Sequence, residues 1–136
     1  MKIVIDTNVI VSGIFFGGAP AKIISHISEG IIRLVLSESI IEEYREVCLR
    51  FLKTKNNAKI STAFEVIDAL IQEAEVIKPG MMETPFCEDP DDVIFLQVAM
   101  ASQARYIISG DKHLIKVKTY PGGKVIKPAQ FLEVLK

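Results

Sequence analysis

The sequence predicts an α/β domain in which helices cover both faces of a central, mostly parallel sheet of about five strands. Five short apolar runs recur along the chain, at residues 3–5, 33–36, 76–77, 106–108 and 125–126. None of them alternates polar with apolar residues, so each strand is expected to be buried on both faces. Longer segments with helical spacing separate the runs, which is typical of parallel strands joined by crossover helices.

The first two helices have recognisable start and stop signals. Pro20 is expected to open a helix that runs to about Glu29, with Gly30 as its C-cap. The next helix follows the second strand, and either Ser37 or Ser39 can cap its N-terminus.

The later helices are signalled in the same way. Asp89 followed by Pro90 predicts an N-cap and first turn of a helix that reaches about Gln103. Residues 127–136 predict a last helix that packs its apolar side chains on the core. Two segments are expected to be loose connections, residues 54–59 and 78–90.

Length and composition limit the classes of protein to consider. With 136 residues and 49% hydrophobic content, residues 1–136 are expected to form a single domain with one core. The formal net charge of −1 gives no overall attraction to nucleic acid or anionic lipid. Cys48 and Cys87 show no spacing typical of a zinc site or a disulfide framework. Asp6 and Asn8 interrupt the apolar N-terminus, so we expect a cytoplasmic protein without a membrane partner.

Two aspartates lie just beyond the ends of two of the predicted strands. Asp6 directly follows the run at 3–5. Asp111 follows the run at 106–108 after two intervening residues, Ser109 and Gly110. Ligands of parallel α/β sheets bind beyond the carboxyl ends of the strands. The two carboxylates are therefore expected at the same edge of the sheet, although they are distant in sequence.

Two helical acids can reach the same edge. At about 100° per residue, Glu43 lies on the margin of the apolar face of its helix, whereas Glu42 and Glu46 point toward solvent. In the segment DPDDVIFLQVA, Asp92 begins a stripe of buried positions. The pattern alone does not exclude Asp91, because this helix is apolar nearly all round.

A cluster of four carboxylates would need compensation. Two such charges about 4 Å apart repel by about 4 kcal/mol at an effective dielectric constant near 20, so the group must share protons or bind a cation. Oxygen ligands without cysteine favour a hard ion, Mg²⁺ or Mn²⁺. Each acid alone also has a structural explanation, as a turn residue, a solvated helix charge or a favourable charge at a helix N-terminus. Their common edge is the observation that predicts a site.

Four motifs together resemble a family of nucleases. The segments are IDTNVIVSG, LSESIIEEYREV, DPDDVIFLQVA and YIISGDKHL, in that order over most of the chain. The sequence resembles PIN-domain ribonucleases of the kind found as VapC-like toxins of toxin–antitoxin pairs. The resemblance implies a three-layer α/β/α PIN-like fold.

Motif by motif, the resemblance implies a catalytic quartet, Asp6, Glu43, Asp92 and Asp111, that holds one or two Mg²⁺ or Mn²⁺ ions. Asp92 is preferred to Asp91 because it keeps the spacing of the family to the apolar pair that follows. Three further polar residues match positions that support the site in relatives, namely Asn8, Ser12 and Ser109.

The resemblance also implies a reaction and partners. The reaction is hydrolysis of an RNA phosphodiester bond, in which the metal activates the attacking water. Relatives often form homodimers, and a small antitoxin protein silences them. Lys112 and Lys116, close to Asp111, are expected to hold the RNA backbone. A second basic group comprises Arg50, Lys53, Lys55 and Lys59. An ordinary solvated surface explains this group equally well.

Two other functions remain open at this stage. A phosphatase of the haloacid dehalogenase type also uses an aspartate after its first strand, but it normally has a second aspartate where this chain has Asn8. A non-catalytic PIN-like module that binds RNA or protein is the other alternative. Metal-dependent cleavage of RNA, lost in Asp6→Asn and Asp92→Asn, separates the nuclease from both.

Overall fold

A computed structural model describes residues 1–54, 60–81, 83, 84, 87 and 89–136. The helices are α1 (Thr7–Phe15), α2 (Gly18–Ser28), α3 (Glu38–Thr54), α4 (Ile60–Glu73), α5 (Pro90–Ser102), α6 (Lys112–Val117) and α7 (Pro128–Val134). The strands are β1 (Lys2–Ile5), β2 (Arg33–Leu36), β3 (Glu75–Val76), β4 (Tyr106–Ile108), β5 (Thr119–Tyr120) and β6 (Gly123–Ile126). Much of the two predicted loose connections, namely residues 55–59, 82, 85, 86 and 88, lies outside the described residues.

The strands form one sheet in the order β3-β2-β1-β4-β6-β5. All neighbouring strands pair in parallel except β5, which pairs antiparallel with β6. The predicted α/β class with a mostly parallel sheet is therefore confirmed, and each of the five predicted runs contributes a strand. The additional strand, β5, could not be recognised in the sequence, because Thr119–Tyr120 is not part of an apolar run.

The central strands are buried on both faces. Residues 3–5 of β1, 34–36 of β2 and 107–108 of β4 are completely inaccessible to solvent. Because successive side chains of a strand point to opposite faces, this burial requires cover on both sides of the sheet. Helix α5 packs against β1, β2 and β4, while α4 packs against β2. Continuous apolar strands thus form the centre of the fold, as the sequence predicts.

The helix boundaries agree with most of the predicted signals. The helix expected from Pro20 begins earlier, at Gly18, and is followed by Gly30 in a left-handed conformation. Of the two candidate serines, Ser37 caps α3, since its hydroxyl accepts a hydrogen bond from the Ile40 amide at 3.3 Å. Asp89 caps α5 through the amide of the second following residue.

Helix α1 differs most from a simple reading of its sequence. Its buried residues include Val9, Ile10 and Val11, a run of β-branched side chains that is typical of strands. The Asp6 carboxylate caps the helix by accepting a hydrogen bond from the Val9 amide, which starts helical geometry directly after β1. The short helix α6 begins in the same way at Asp111.

No helix in the described part of the chain is long and apolar enough to cross a membrane by itself. Taken together, α1 and α2 meet the length and composition of such a span, but they are bent by 94° relative to each other. Both helices contribute to the core, with Ile10 and Ile23 completely buried.

Candidate active site

An acidic cleft lies where β1 and β4 end and where α1, α5 and α6 begin. Its volume is ≈ 190 Å³. All four acids of the predicted quartet line it, together with two further aspartates from the start of α5. The lining residues are Asp6, Thr7, Asn8, Glu43, Val47, Asp89, Asp91, Asp92, Phe95 and Asp111. We call this space the acidic cleft.

Asp6 is fixed in place by the backbone and by Ser109. Its amide donates to the Ile108 carbonyl at 3.0 Å, which ties the end of β1 to β4. One carboxylate oxygen accepts from the Val9 amide at 2.9 Å, and the other accepts from the Ser109 hydroxyl. Asp6 therefore lies just after the last residue of β1, and both of its carboxylate oxygens accept a hydrogen bond.

The pKa of Asp6 reflects this environment. Burial is the largest cause and raises the pKa from 3.8 to about 6. The hydrogen bonds from Ser109 and Val9 oppose that effect, while the nearby charges of Asp111 and Glu43 add to it. The carboxylate is therefore mostly ionised at neutral pH, at a cost that a cation would relieve.

Glu43 reaches the cleft from α3. It is half-buried, while Glu42 and Glu46 are exposed, as the helical spacing predicts. The Thr7 hydroxyl donates a hydrogen bond to the Glu43 carboxylate, which joins the start of α1 to α3. The next residue, Tyr44, is buried, and its hydroxyl donates a hydrogen bond to the carbonyl oxygen of Ile5, the last residue of β1. These two contacts fix the position of α3 beside the strand.

Asp92 is the most unusual of the four acids. Its side chain is 5% exposed, and Oδ2 is buried without a hydrogen-bond partner among the residues that the structure describes. Burial, followed by the charges of Asp111, Asp89 and Asp6, raises its pKa to about 6. Asp91 is exposed, although it lines the same cleft. The buried carboxylate without a partner distinguishes Asp92 from its neighbour.

Asp111 and Ser109 complete the edge of the sheet at β4. The Asp111 amide donates to the Ser109 hydroxyl oxygen at 3.0 Å, and the Asp111 carboxylate accepts from the His113 amide at 2.8 Å. Ser109 is completely buried and bonds both Asp6 and Asp111. One hydroxyl thus connects the two strand-end acids.

The other residues proposed from the sequence lie in different places. Asn8 is exposed and lines the acidic cleft, whereas Ser12 lines only a neighbouring cavity. Lys112 and Lys116 are exposed on α6, and neither lines the cleft. In the second basic group, Arg50 and Lys53 are exposed on α3, while residues 55 and 59 lie outside the described part.

Sequence reasoning missed the place of three residues in this cleft. The sequence predicts Asp89 as a helix cap and Asp91 only as an alternative to Asp92. In the structure, Asp89 and Asp91 line the cleft together with Asp92. Thr7 was not singled out, although it bonds Glu43. The signal for the two aspartates was present in the spacing of DPDD, because the first turn of a helix presents successive residues around its N-terminus.

The donor set suits a hard divalent cation. The carboxylates offer only oxygen ligands, and the buried Asp92 Oδ2 has no hydrogen-bond partner in the part of the chain that the structure describes. Among the described residues, however, no three Asp, Glu, His or Cys side chains form a ready metal-binding group. The carboxylates therefore need to reorient before several of them coordinate one ion.

Comparisons with known proteins agree with this architecture. The PIN domain family matches residues 2–113, which include all four acids of the quartet. The fold is similar to a chain in the crystal structure of VapBC2 from Rickettsia felis bound to a DNA fragment from their promoter. The TM-score is 0.63 at 14% identity, with 93% of this chain and 98% of that chain covered. No curated protein matches the sequence significantly. The chain belongs to the PIN-domain family, whose members are generally nucleases.

Proposed function

We propose that this chain is an endoribonuclease that depends on Mg²⁺ or Mn²⁺ and acts as the toxin of a toxin–antitoxin pair. The observation that carries the proposal is the buried Asp92 carboxylate, whose Oδ2 has no hydrogen-bond partner within the described residues. It shares a cleft with Asp6, Glu43 and Asp111. A buried charge without compensation is costly, so a fold retains it where a cation or a reaction requires it.

In this proposal the four carboxylates hold the cation, and their neighbours orient them. Ser109 holds Asp6 and the start of α6 in register, and Thr7 orients Glu43. A bound divalent cation would compensate the carboxylates, attract a phosphate and increase the acidity of a water molecule. Asn8 is exposed and lines the cleft, so its amide is available for a hydrogen bond to bound RNA.

Binding of RNA to this cleft has to overcome repulsion. The described residues that line the cleft include six acids and no basic side chain, so phosphate is expected to approach it only when a cation is present. The proposed contacts of Lys112 and Lys116 lie outside the cleft, on the exposed surface of α6. Counterion release at such contacts would make RNA binding depend on salt concentration.

We further propose a cognate antitoxin and a homodimer in the cytoplasm. The support for the antitoxin is the resemblance to VapC-like toxins together with the likeness to the VapBC2 structure. Co-expression of the chain with the protein encoded beside it tests the partner, and light scattering of the purified chain tests the dimer. A monomer that the neighbouring gene product neither binds nor inhibits would contradict both.

The nuclease proposal is tested by cleavage of end-labelled single-stranded RNA in Mn²⁺, in Mg²⁺ and in EDTA. We expect cleavage only with a cation, and a loss of about 100-fold or more in Asp92→Asn. Asp68→Asn is the matched control, because Asp68 pairs with Arg45 on the surface, away from the cleft. Cleavage in EDTA, or equal cleavage by both variants, would overturn the proposal. RNA binding without cleavage in either metal would indicate a non-catalytic module instead.

A further inference from the structure

A second cavity adjoins the acidic cleft. Asn8 and Asp111 line both spaces, so the two lie side by side at the start of α1 and α6. The second cavity has a volume of ≈ 330 Å³. Its other lining residues come from α1, α2, α7 and the connection after β4, and they are Val9, Ser12, Pro20, Gly110 and Pro128. We call this space the neutral cavity.

The lining of the neutral cavity differs chemically from that of the acidic cleft. Of the described residues that line it, Asp111, on the shared border, is the only charged one, and none is a lysine, arginine or histidine. Such a surface repels a phosphate. The rings of Pro20 and Pro128 and the side chain of Val9 offer apolar contact, so the cavity suits a neutral ligand with flat apolar faces.

Two side chains in the neutral cavity are available for hydrogen bonds. Within the described ranges, neither the Asn8 amide nor the Ser12 hydroxyl bonds another protein group. The amide of Asn8 offers both donors and an acceptor, and the hydroxyl of Ser12 can act as either. This combination matches the edge of a nucleobase, which also presents donors and acceptors side by side.

We propose that the neutral cavity binds one unpaired nucleobase of the RNA, next to the phosphodiester group in the acidic cleft. This inference rests on the proposed nuclease function. A volume of ≈ 330 Å³ is within the range of small-ligand pockets and can hold a base with part of its ribose. A paired base cannot enter, so the substrate is single-stranded at the point of cleavage.

Gly110 allows the cavity to be filled without strain on the backbone. A Cβ atom added there meets nothing within 4 Å, and the residue does not have a positive φ. In Gly110→Leu the new side chain would occupy the space of the base. Gly80→Leu is the matched control, because Gly80 also has open space around its Cβ position and lines neither the acidic cleft nor the neutral cavity.

The first test measures binding of the four ribonucleosides, which lack phosphate, by nuclear magnetic resonance in EDTA. At least one is expected to shift the amide signals of Val9, Ser12 and Gly110. Gly110→Leu should weaken this binding about tenfold or more, while Gly80→Leu should not change it. No shift at these amides with any nucleoside at about 10 mM, or equal binding by both variants, would overturn the proposal.

The second test sequences the ends that the wild-type chain produces from a random single-stranded RNA pool. A base preference is expected at one nucleotide beside the cut, retained in Gly80→Leu and reduced about tenfold in Gly110→Leu. Cleavage with the same preference in both variants would overturn the assignment of the cavity. If the wild-type chain cleaves nothing while nucleosides bind at Gly110, the nuclease proposal fails and the base site remains.

Discussion

Replacing Asp92 by asparagine is expected to stabilise the cation-free chain at neutral pH. In the folded chain, burial and neighbouring acids raise the pKa of Asp92 from 3.8 to about 6. The folded chain therefore holds the proton more tightly than the unfolded chain does. Ionisation at pH 7 consequently lowers the free energy of unfolding, and asparagine cannot ionise.

The magnitude follows from the pKa difference. Each tenfold change in proton affinity is worth about 1.4 kcal/mol, so ionising Asp92 lowers the free energy of unfolding at pH 7 by about 3 kcal/mol. Compared with the protonated acid, asparagine brings an additional N–H donor to this buried position, and leaving that donor unpaired costs about 1 to 2 kcal/mol. The expected net gain of Asp92→Asn is therefore about 1 to 2 kcal/mol at pH 7.

The gain depends on pH in a defined direction. Because the folded pKa is raised, the penalty of the wild-type carboxylate grows as the pH rises from 3.8 to about 6 and is constant above. Between pH 7 and pH 4.5 the advantage of Asp92→Asn should fall by about 2 kcal/mol. Asp6 titrates near the same pH in the wild type and in Asp92→Asn. Its contribution therefore largely cancels from the difference between their free energies of unfolding.

Urea unfolding in EDTA and in Mn²⁺ measures both effects. In EDTA at pH 7, Asp92→Asn should unfold at higher urea than the wild type, while the exposed Asp91→Asn should differ by less than about 0.5 kcal/mol. In Mn²⁺ at about 100 times its dissociation constant, only the wild type should gain about 2.7 kcal/mol, which reverses the order. A less stable Asp92→Asn chain in EDTA, or an equal gain from Mn²⁺ in both chains, would refute this reasoning.

Three other predictions concern single contacts. Ser109→Ala should raise the pKa of Asp6 further above about 6, because it removes the hydrogen bond that lowers this pKa. Mn²⁺ titrations of this variant should show a greater loss of binding at pH 6 than at pH 8. Ser109→Thr keeps the hydroxyl and should keep the wild-type pH profile of Mn²⁺ binding. Gly123→Ala should lower the free energy of unfolding by about 1 to 3 kcal/mol in urea, since its Cβ would lie 2.5 Å from the Arg105 carbonyl oxygen; unchanged stability would contradict the close approach. Tyr44→Phe leaves the last carbonyl of β1 without its partner and should cost about 1 to 2 kcal/mol by the same assay, with little change in the pH dependence of unfolding.

The strands could be predicted because burial on both faces leaves a clear signal in sequence. Runs such as residues 34–36 are apolar at every position, and the structure buries each of them completely. The antiparallel strand β5 could not be predicted, since Thr119–Tyr120 contains no apolar run and only its second residue is buried. Helix α1 could not be predicted either, because the β-branched side chains at 9–11 favour a strand. The helical signal in this segment is the N-cap at Asp6.

The shared cleft could be predicted from topology rather than from proximity in sequence. Asp6 and Asp111 follow strands that are neighbours in the sheet, so their common edge is a consequence of parallel pairing. The location of Ser12 in the neutral cavity and the bond from Thr7 to Glu43 could not be predicted. Both depend on where α1 starts and how it is rotated against α3, which tertiary packing determines.

The helix caps at the cleft affect how relatives that lose activity should diverge. Asp6, Asp89 and Asp111 each begin a helix, so selection for folding alone would retain them in a lineage with no remaining enzymatic role. Asp92 begins none of the described helices. Its charge opposes folding, as that of Asp6 does, but Asp6 has a hydrogen-bond partner for each oxygen, whereas Asp92 Oδ2 has none within the described residues. Genetic drift in an inactive descendant should therefore replace Asp92 first. Its identity, more than that of the three capping acids, should separate working from degenerate copies among natural sequences.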